Sequence, residues 1–377
     1  MHAEVSRTAL AHALQQLTPI IPAKPSIPVL TGIRVEADPS CLTLTAGTIG
    51  LMVMYKLPLI ESPRMLEQCR SLVVPGRSLY ELVRRLDLTN LILETSEDYS
   101  ITIRSGISTY RLCGMDAVDY PAFQLGESAR FTFRMPNRVL QGMIQQVAFA
   151  VSASESRPAL TGVHCQVDSE CLTLRATDGI RLASTQATFA YKSDASQPVA
   201  TAIVPGKHLS ALSRMVNNVT EDIEITIENH RILFRTDRML MQSSLLPGNF
   251  PSTENLIPER YATEVLLDTA TFIHSLGKII LLAGSSNAVR MQPAHHRTSE
   301  LSAQTADIGE AVETFPLLDM IGDLISIHYN GKYMLEILHA IDSAEVWLRM
   351  AGPERPIIVQ PHNSTSAYYI LTPIRSR

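Results

Sequence analysis

Few residues of this chain are placed to do chemistry. The stretch ATDGIRL sets Asp178 beside Arg181, a pairing that could in principle move a proton. No second carboxylate, histidine or nucleophile stands at useful spacing in that stretch, and no glycine-rich phosphate loop occurs in the chain. Residues 294–298, AHHRT, contain an adjacent histidine pair with no third ligand evident nearby, so a solvated turn explains them better than a metal site. The five cysteines, Cys41, Cys69, Cys113, Cys165 and Cys171, are odd in number and lack C-x-x-C spacing. Cys41 and Cys171 both precede Leu-Thr-Leu, which suggests a shared strand position for a small hydrophobe. These residues point to binding without catalysis, with no metal and no cofactor.

The shared position belongs to a longer repeat. Residues 26–46, SIPVLTGIRVEADPSCLTLTA, align with residues 156–176, SRPALTGVHCQVDSECLTLRA, at an offset of 130, and eleven of twenty-one positions are identical. Val74-Pro75-Gly76 aligns with Val204-Pro205-Gly206 and Pro121 with Pro251 at the same offset. Each copy reads as a helix, a pair of strands, a strand running into a second helix, and closing strands. The first helix is expected over residues 4–17, ended by Pro19 and Pro22. A third, more diverged copy keeps the order, with helices in LDTATFIHSLGKIILLAG and YNGKYMLEILHAI. The reading is α+β, with three tandem helix-and-sheet domains over 1–125, 126–254 and 255–377 and linkers DYPAFQLGESAR and GNFPSTENLIPER.

The chain has 377 residues, 45% of them hydrophobic and 18% charged, with a formal net charge of −5. No apolar run reaches the length of a membrane span, and the N-terminus lacks the basic region and apolar block of a signal peptide, so a cytoplasmic location is expected. Charge is not evenly spread. The expected helical segments carry ten basic residues (Arg7, Arg77, Arg84, Arg85, Arg134, Arg138, Lys207, Arg214, Lys278, Lys332) and five acidic ones (Glu4, Glu81, Asp87, Asp268, Glu336). A helix layer of +5 on a remainder of −10 suits a surface that faces phosphate on one side and solvent on the other. Solvated helix faces carry Lys and Arg in any case, so the asymmetry has weight only beside the repeat. The helices lack an aromatic platform for stacking single strands, which favours duplex phosphate contact.

SRPALTG, LTLRATDGIRLA, VPGK, LLPGNFPST and YYILTPIR together resemble the bacterial DNA polymerase III β subunit, the sliding clamp, over essentially the whole chain. The resemblance implies a head-to-tail homodimeric ring, helices on the inner face and sheets outside, encircling duplex DNA without sequence preference. It implies a nucleoid-associated processivity factor that is not an enzyme itself. The partners implied are the polymerase III catalytic subunit, the clamp loader and other clamp-motif proteins. Closure of such a ring also removes the exposed sheet edges that a three-domain arc would leave at its ends.

The same resemblance implies a partner-peptide pocket between the second and third domains. Its residues here are Leu160, Thr177, Gly179, Arg181, Leu182, Pro251, Asn330, Tyr333, Ile370, Leu371, Thr372, Pro373, Ile374 and Arg375. Implied DNA contacts are Lys24, Arg77, Arg157, Lys207 and Arg214. Three positions depart from the family pattern: Ile180 where histidine is common, Thr372 beside the penultimate proline of the motif, and the ending Ser376-Arg377. These bear on peptide preference and leave the fold alone. The alternative reading is a peptide-binding scaffold paralogue with a repair or regulatory role that no longer supports replication.

Overall fold

The computed structural model describes residues 2–25, 27–60, 71–96, 98–124, 129–168, 170–189, 199–216, 221–295 and 297–375. Cys69, His296, Ser376 and Arg377 lie outside the described residues.

The first repeat runs β1 (His2–Ser6), α1 (Arg7–Leu17), β2 (Ile33–Ala37), β3 (Cys41–Thr48), β4 (Leu51–Pro58), β5 (Leu72–Val74), α2 (Gly76–Val83), β6 (Asn90–Thr95), β7 (Ser100–Ser105), β8 (Ser108–Cys113) and β9 (Met115–Asp116). The second runs β10 (Phe131–Pro136), α3 (Asn137–Val147), β11 (Gly162–Val167), β12 (Cys171–Thr177), β13 (Arg181–Thr188), β14 (Ala200–Pro205), α4 (Gly206–Met215), β15 (Asp222–Ile227), β16 (Arg231–Arg235) and β17 (Met239–Ser244). At the offset of 130 the bounds of α3 fall on those of α1, and β12, β13 and α4 begin where β3, β4 and α2 begin. The third runs β18 (Thr263–Asp268), α5 (Thr269–Ile280), β19 (Ala288–His295), β20 (Thr298–Thr305), β21 (Gly309–Pro316), β22 (Asp319–Gly322), β23 (Ile327–Asn330), α6 (Gly331–Ala340), β24 (Glu345–Met350), β25 (Ile357–Pro361) and β26 (Ala367–Leu371).

Local chemistry repeats with the fold. The Asp38 and Asp168 carboxylates each accept the backbone N–H three residues on, from Cys41 and Cys171, at 2.8 Å. That bond closes the β2–β3 and β11–β12 turns and starts the following strand at the cysteine. Hydrogen bonds from the Ser40 and Cys41 side chains and the Ser40 N–H hold the Asp38 carboxyl far below the usual carboxylate range.

Two expectations change. The first helix starts at Arg7, because Ala3 and Val5 are buried on alternate positions and form β1, while the Ser6 hydroxyl caps α1 by accepting from Ala9 N at 3.5 Å. Strands β10 and β18 precede α3 and α5 in the same way, so Glu4 and Arg134 sit on strands. Arg84, Arg85 and Asp87 follow α2, and Asp268 is the N-cap of α5. The helices themselves carry seven basic and two acidic residues, an excess of +5. The AHHRT segment spans the β19–β20 connection, where Arg297 is an exposed turn residue. β19 runs to His295 and β20 starts at Thr298, with a register shift between Pro293 and His295.

Two compact units form, and the middle repeat contributes to both. The unit built from the described residues of 1–138 and 211–245 holds a sheet of order β1-β6-β7-β8 and a nine-stranded sheet of order β10-β15-β16-β17-β4-β3-β2-β5-β9. In it α1 packs on α2, burying Leu10, Leu14 and Leu17 with Leu79 and Val83. The other unit, from the described residues of 139–189, 199–210 and 246–377, holds β14-β11-β12-β13-β26-β25-β24-β18-β22 and β21-β20-β19-β23. There α5 packs on α6, and Phe272 stacks on Phe315 of β21 with centroids 5.5 Å apart. Each nine-stranded sheet is continuous across a repeat boundary, through β17–β4 in one unit and β13–β26 in the other.

Candidate functional site

The β12–β13 turn carries the densest set of polar contacts around the expected pocket. Asp178 Oδ1 accepts from Ile180 N at 2.9 Å and Arg181 N at 3.0 Å, an Asx turn that leaves Gly179 at φ +95°. Glycine takes that left-handed conformation without steric cost. The Thr177 hydroxyl closes the turn by donating to Arg181 O at 2.5 Å and accepting from Gly179 N at 3.0 Å. Ile180 is left at the tip, 47% exposed.

The Arg181 side chain points inward, and all of its nitrogens have partners. Nε donates to Asp178 Oδ2 at 3.1 Å, one terminal nitrogen to Glu336 of α6, and the other to Phe149 O at 2.9 Å. Its guanidinium carbon lies 4.3 Å from the Tyr333 ring centroid and 5.1 Å from that of Phe149. Only 8% of the side chain is exposed. Asp178 and Arg181 are thus committed to holding a turn.

Tyr333 is placed by its own helix end. Asn330 caps α6, its side-chain oxygen accepting from Tyr333 N at 3.2 Å. Past β26 the chain is pinned twice through its backbone, Thr372 N to Ile180 O at 2.9 Å and Ile374 N to His328 O at 2.7 Å. Leu182, Ile358 and Ile370 form a buried cluster, with Tyr261 and Tyr368 packed on it. Above this floor Thr372, Ile374 and Arg375 are exposed and Pro373 is half-buried. The loop before β11 approaches the turn after β17, since a Cβ on Gly248 would lie 3.5 Å from that of Ala159. Phe250 stacks on His164 with centroids 5.0 Å apart, next to the exposed Pro251.

The expected residues therefore divide. Leu160, Thr177, Arg181, Leu182, Ile370 and Leu371 are buried, and Pro251, Thr372, Ile374 and Arg375 are presented. Asp178, already paired with Arg181 in the sequence, and two residues not singled out there for the site, Phe149 and Glu336, hold Arg181 in place. The signal for Glu336 was its i,i+3 relation to Tyr333 on a helix, which puts both on one face. Lys24, Arg77, Arg157, Lys207 and Arg214 are all exposed. Arg77 and Lys207 are the second residues of the matching helices α2 and α4. Arg157 is set apart from the others, for a Cβ on Gly179 would meet its guanidinium at 3.8 Å, which brings it to the β12–β13 turn. Among the described residues no group of three or more His, Cys, Asp or Glu could hold a metal ion, and no helix is long and apolar enough to cross a membrane.

Family models for the DNA polymerase III beta subunit match the chain in order: the N-terminal domain over 1–124, the central domain over 134–252 and the C-terminal domain over 254–375. The beta sliding clamp of Bacillus subtilis (strain 168) is 30% identical over 377 residues, covering 99% of both chains. That of Staphylococcus epidermidis (strain ATCC 12228) is 31% identical over 382 residues and the full length of both. The crystal structure of the Bacillus subtilis DNA polymerase sliding clamp superposes with a TM-score of 0.92 at 29% identity over all of both chains. A Pseudomonas aeruginosa clamp bound to griselimycin has the same fold, with a TM-score of 0.92 at 22% identity over all of both chains. Fold and sequence alike define a DNA clamp of three like domains. The chain belongs to the DNA polymerase III beta subunit family, the beta sliding clamps.

Proposed function

We propose that the protein is a DNA sliding clamp, a non-catalytic processivity factor that encircles duplex DNA and tethers the replicative polymerase. The observation that carries this reading is the ordered match of all three clamp domains along one chain. Domain boundaries after residues 125 and 254 fit it. Two copies join head to tail, the outer edge of β8 in one meeting the outer edge of β21 in the other. Both strands end their sheets, and the residues near them are complementary: Arg111 on one edge, Glu310 and Glu313 on the other, with exposed Ile107 and Tyr110 against exposed Ile308 and Val312. The excess positive charge of the helices attracts phosphate without reading bases, which permits sliding. Lys24, Arg77, Lys207 and Arg214 contribute there, and Arg157 lies nearest the peptide site.

The peptide site is the surface made by Leu160, the Thr177–Leu182 turn, Pro251, the start of α6 and residues 370–375. It combines an apolar floor with polar anchors, which suits a short segment of the polymerase, the clamp loader or other clamp-motif proteins. The protein works in the cytoplasm at the nucleoid. Retention on nicked circular DNA tests the whole reading. Clamp-loader-dependent retention on circles that is lost on linearisation is expected, and Val312→Asp, which charges the β21 edge, should yield a monomer with no retention. A monodisperse wild-type monomer, or equal retention on circles and linear DNA, would overturn it.

A further inference from the structure

We propose that Glu336 is a positioning residue for peptide binding, acting through Arg181 on the Tyr333 ring without touching the peptide; this rests on the peptide-site reading above. Glu336 and Tyr333 share one face of α6, and both converge on the same guanidinium. Tyr333 contributes a ring face 4.3 Å from the guanidinium carbon, and Glu336 contributes a carboxylate that bonds the guanidinium at its edge. A planar ion held at its edges has one orientation left, and a ring stacked on its face takes that orientation too. Asp178 fixes the same ion to the β12–β13 turn, and Phe149 O fixes it to the segment after α3. Arg181 therefore ties two separate walls of the site, the turn and α6, to one rigid plane.

Glu336 has the weakest surroundings of these groups. Its side chain is 34% exposed, against 14% for Asp178 and 8% for Arg181. Removing its charge leaves the turn closed by Asp178 and Thr177, but frees the guanidinium edge that sets the Tyr333 tilt. The effect expected is on recognition more than on stability. Pre-organised surfaces bind more tightly because less ordering remains to be done at association.

The test is a double-mutant cycle on polymerase binding by the full-length clamp, read by surface plasmon resonance with the cognate polymerase catalytic subunit. Glu336→Gln keeps the size of the side chain and should weaken binding about tenfold with an unchanged thermal midpoint, and Glu336→Asp should recover most of the loss. In a Tyr333→Ala background, itself expected to bind weakly, Glu336→Gln should add nothing. The proposal falls if Glu336→Gln binds like wild type, or if its effect is undiminished in the Tyr333→Ala background, as a merely structural role would give. Should Tyr333→Ala bind the polymerase normally, the peptide-site reading itself fails, and the positioning role with it.

Discussion

The first and second repeats carry the same groove, and in the first it is filled by the chain itself. Leu30 and Met52, at the positions of Leu160 and Leu182, lie in a buried cluster with Val29, Val73, Ala117 and Tyr120, and Ile27, Met115 and Phe123 pack on it. The plug is the segment after β8. Tyr120 anchors it, its hydroxyl donating to Thr45 O at 3.1 Å and facing Gly32 O at 3.3 Å, and burial pushes that hydroxyl's pKa far up. In the second repeat the matching residue is Phe250, which has no hydroxyl and lies half-buried against His164. Pro247 near it is exposed, where the matching Ala117 of the first copy is buried. The first copy is thus covered firmly by its own chain, and the peptide site proposed above lies at the matching positions of the second, where the covering ring is only half-buried. The difference lies in the anchor, a tyrosine hydroxyl held at two carbonyls in one copy and a half-buried phenylalanine in the other.

The largest expected effect breaks the comparison at its anchor. Tyr120→Ala should cost about 3–5 kcal/mol of stability, as for other buried aromatic truncations, whereas Phe250→Ala should cost about 1–2 kcal/mol because its ring is already half-exposed. Denaturant unfolding of the two variants checks this, and equal losses would mean that both grooves are equally filled. A second change takes the open groove apart. Removal of residues 372–377 should lower polymerase affinity about a hundredfold while leaving the unfolding midpoint nearly unchanged, since Thr372, Ile374 and Arg375 are exposed.

The smallest effect is a pH dependence that belongs to the open side. Burial, helped by the Arg175 guanidinium, lowers His164 to about 4, and burial lowers His208 likewise to about 4. An unfolded histidine titrates near 6.5, so between about 4 and 6.5 the unfolded chain binds more protons than the native one. Their stabilising contribution is complete above that range and is lost as pH falls through it. The thermal midpoint should drop by a few degrees between pH 7 and pH 4.5, and His164→Phe should remove part of that slope. The first repeat has Arg34 at this position. A slope unaffected by His164→Phe would assign the titration elsewhere.

The repeat was legible because identical residues recur where the backbone demands them. Asp38 and Asp168 close matching turns, and Gly76 and Gly206 open α2 and α4 where a Cβ would press on Ile21 and Ile33 or on Val151. Strands β1, β10 and β18 were harder to read. Each runs straight into a helix with no residue between, and burial alternation over five or six residues is a short signal. Strand β21, GEAVETFP, is exposed at most positions because it is an edge strand, so it lacks a clear apolar alternation. At the site, the motifs located the turn and the terminal segment. They did not reveal that Arg181 faces inward, because that depends on Glu336, which lies 155 residues away.

The nine-stranded sheets do not respect the repeats, and this bears on how the protein melts. Sequence copies number three, but β10 and β15–β17 are bonded into one sheet and β11–β14 into another. A fragment cut at either repeat boundary would bare a row of N–H and C=O groups from β4 or β13 that hydrogen-bond in the intact chain. The module that evolution duplicated is therefore not the module that folds. Cooperativity should follow the sheets, so calorimetry of the monomeric Val312→Asp chain should resolve two transitions, and an isolated middle repeat should have no folded baseline from which to melt.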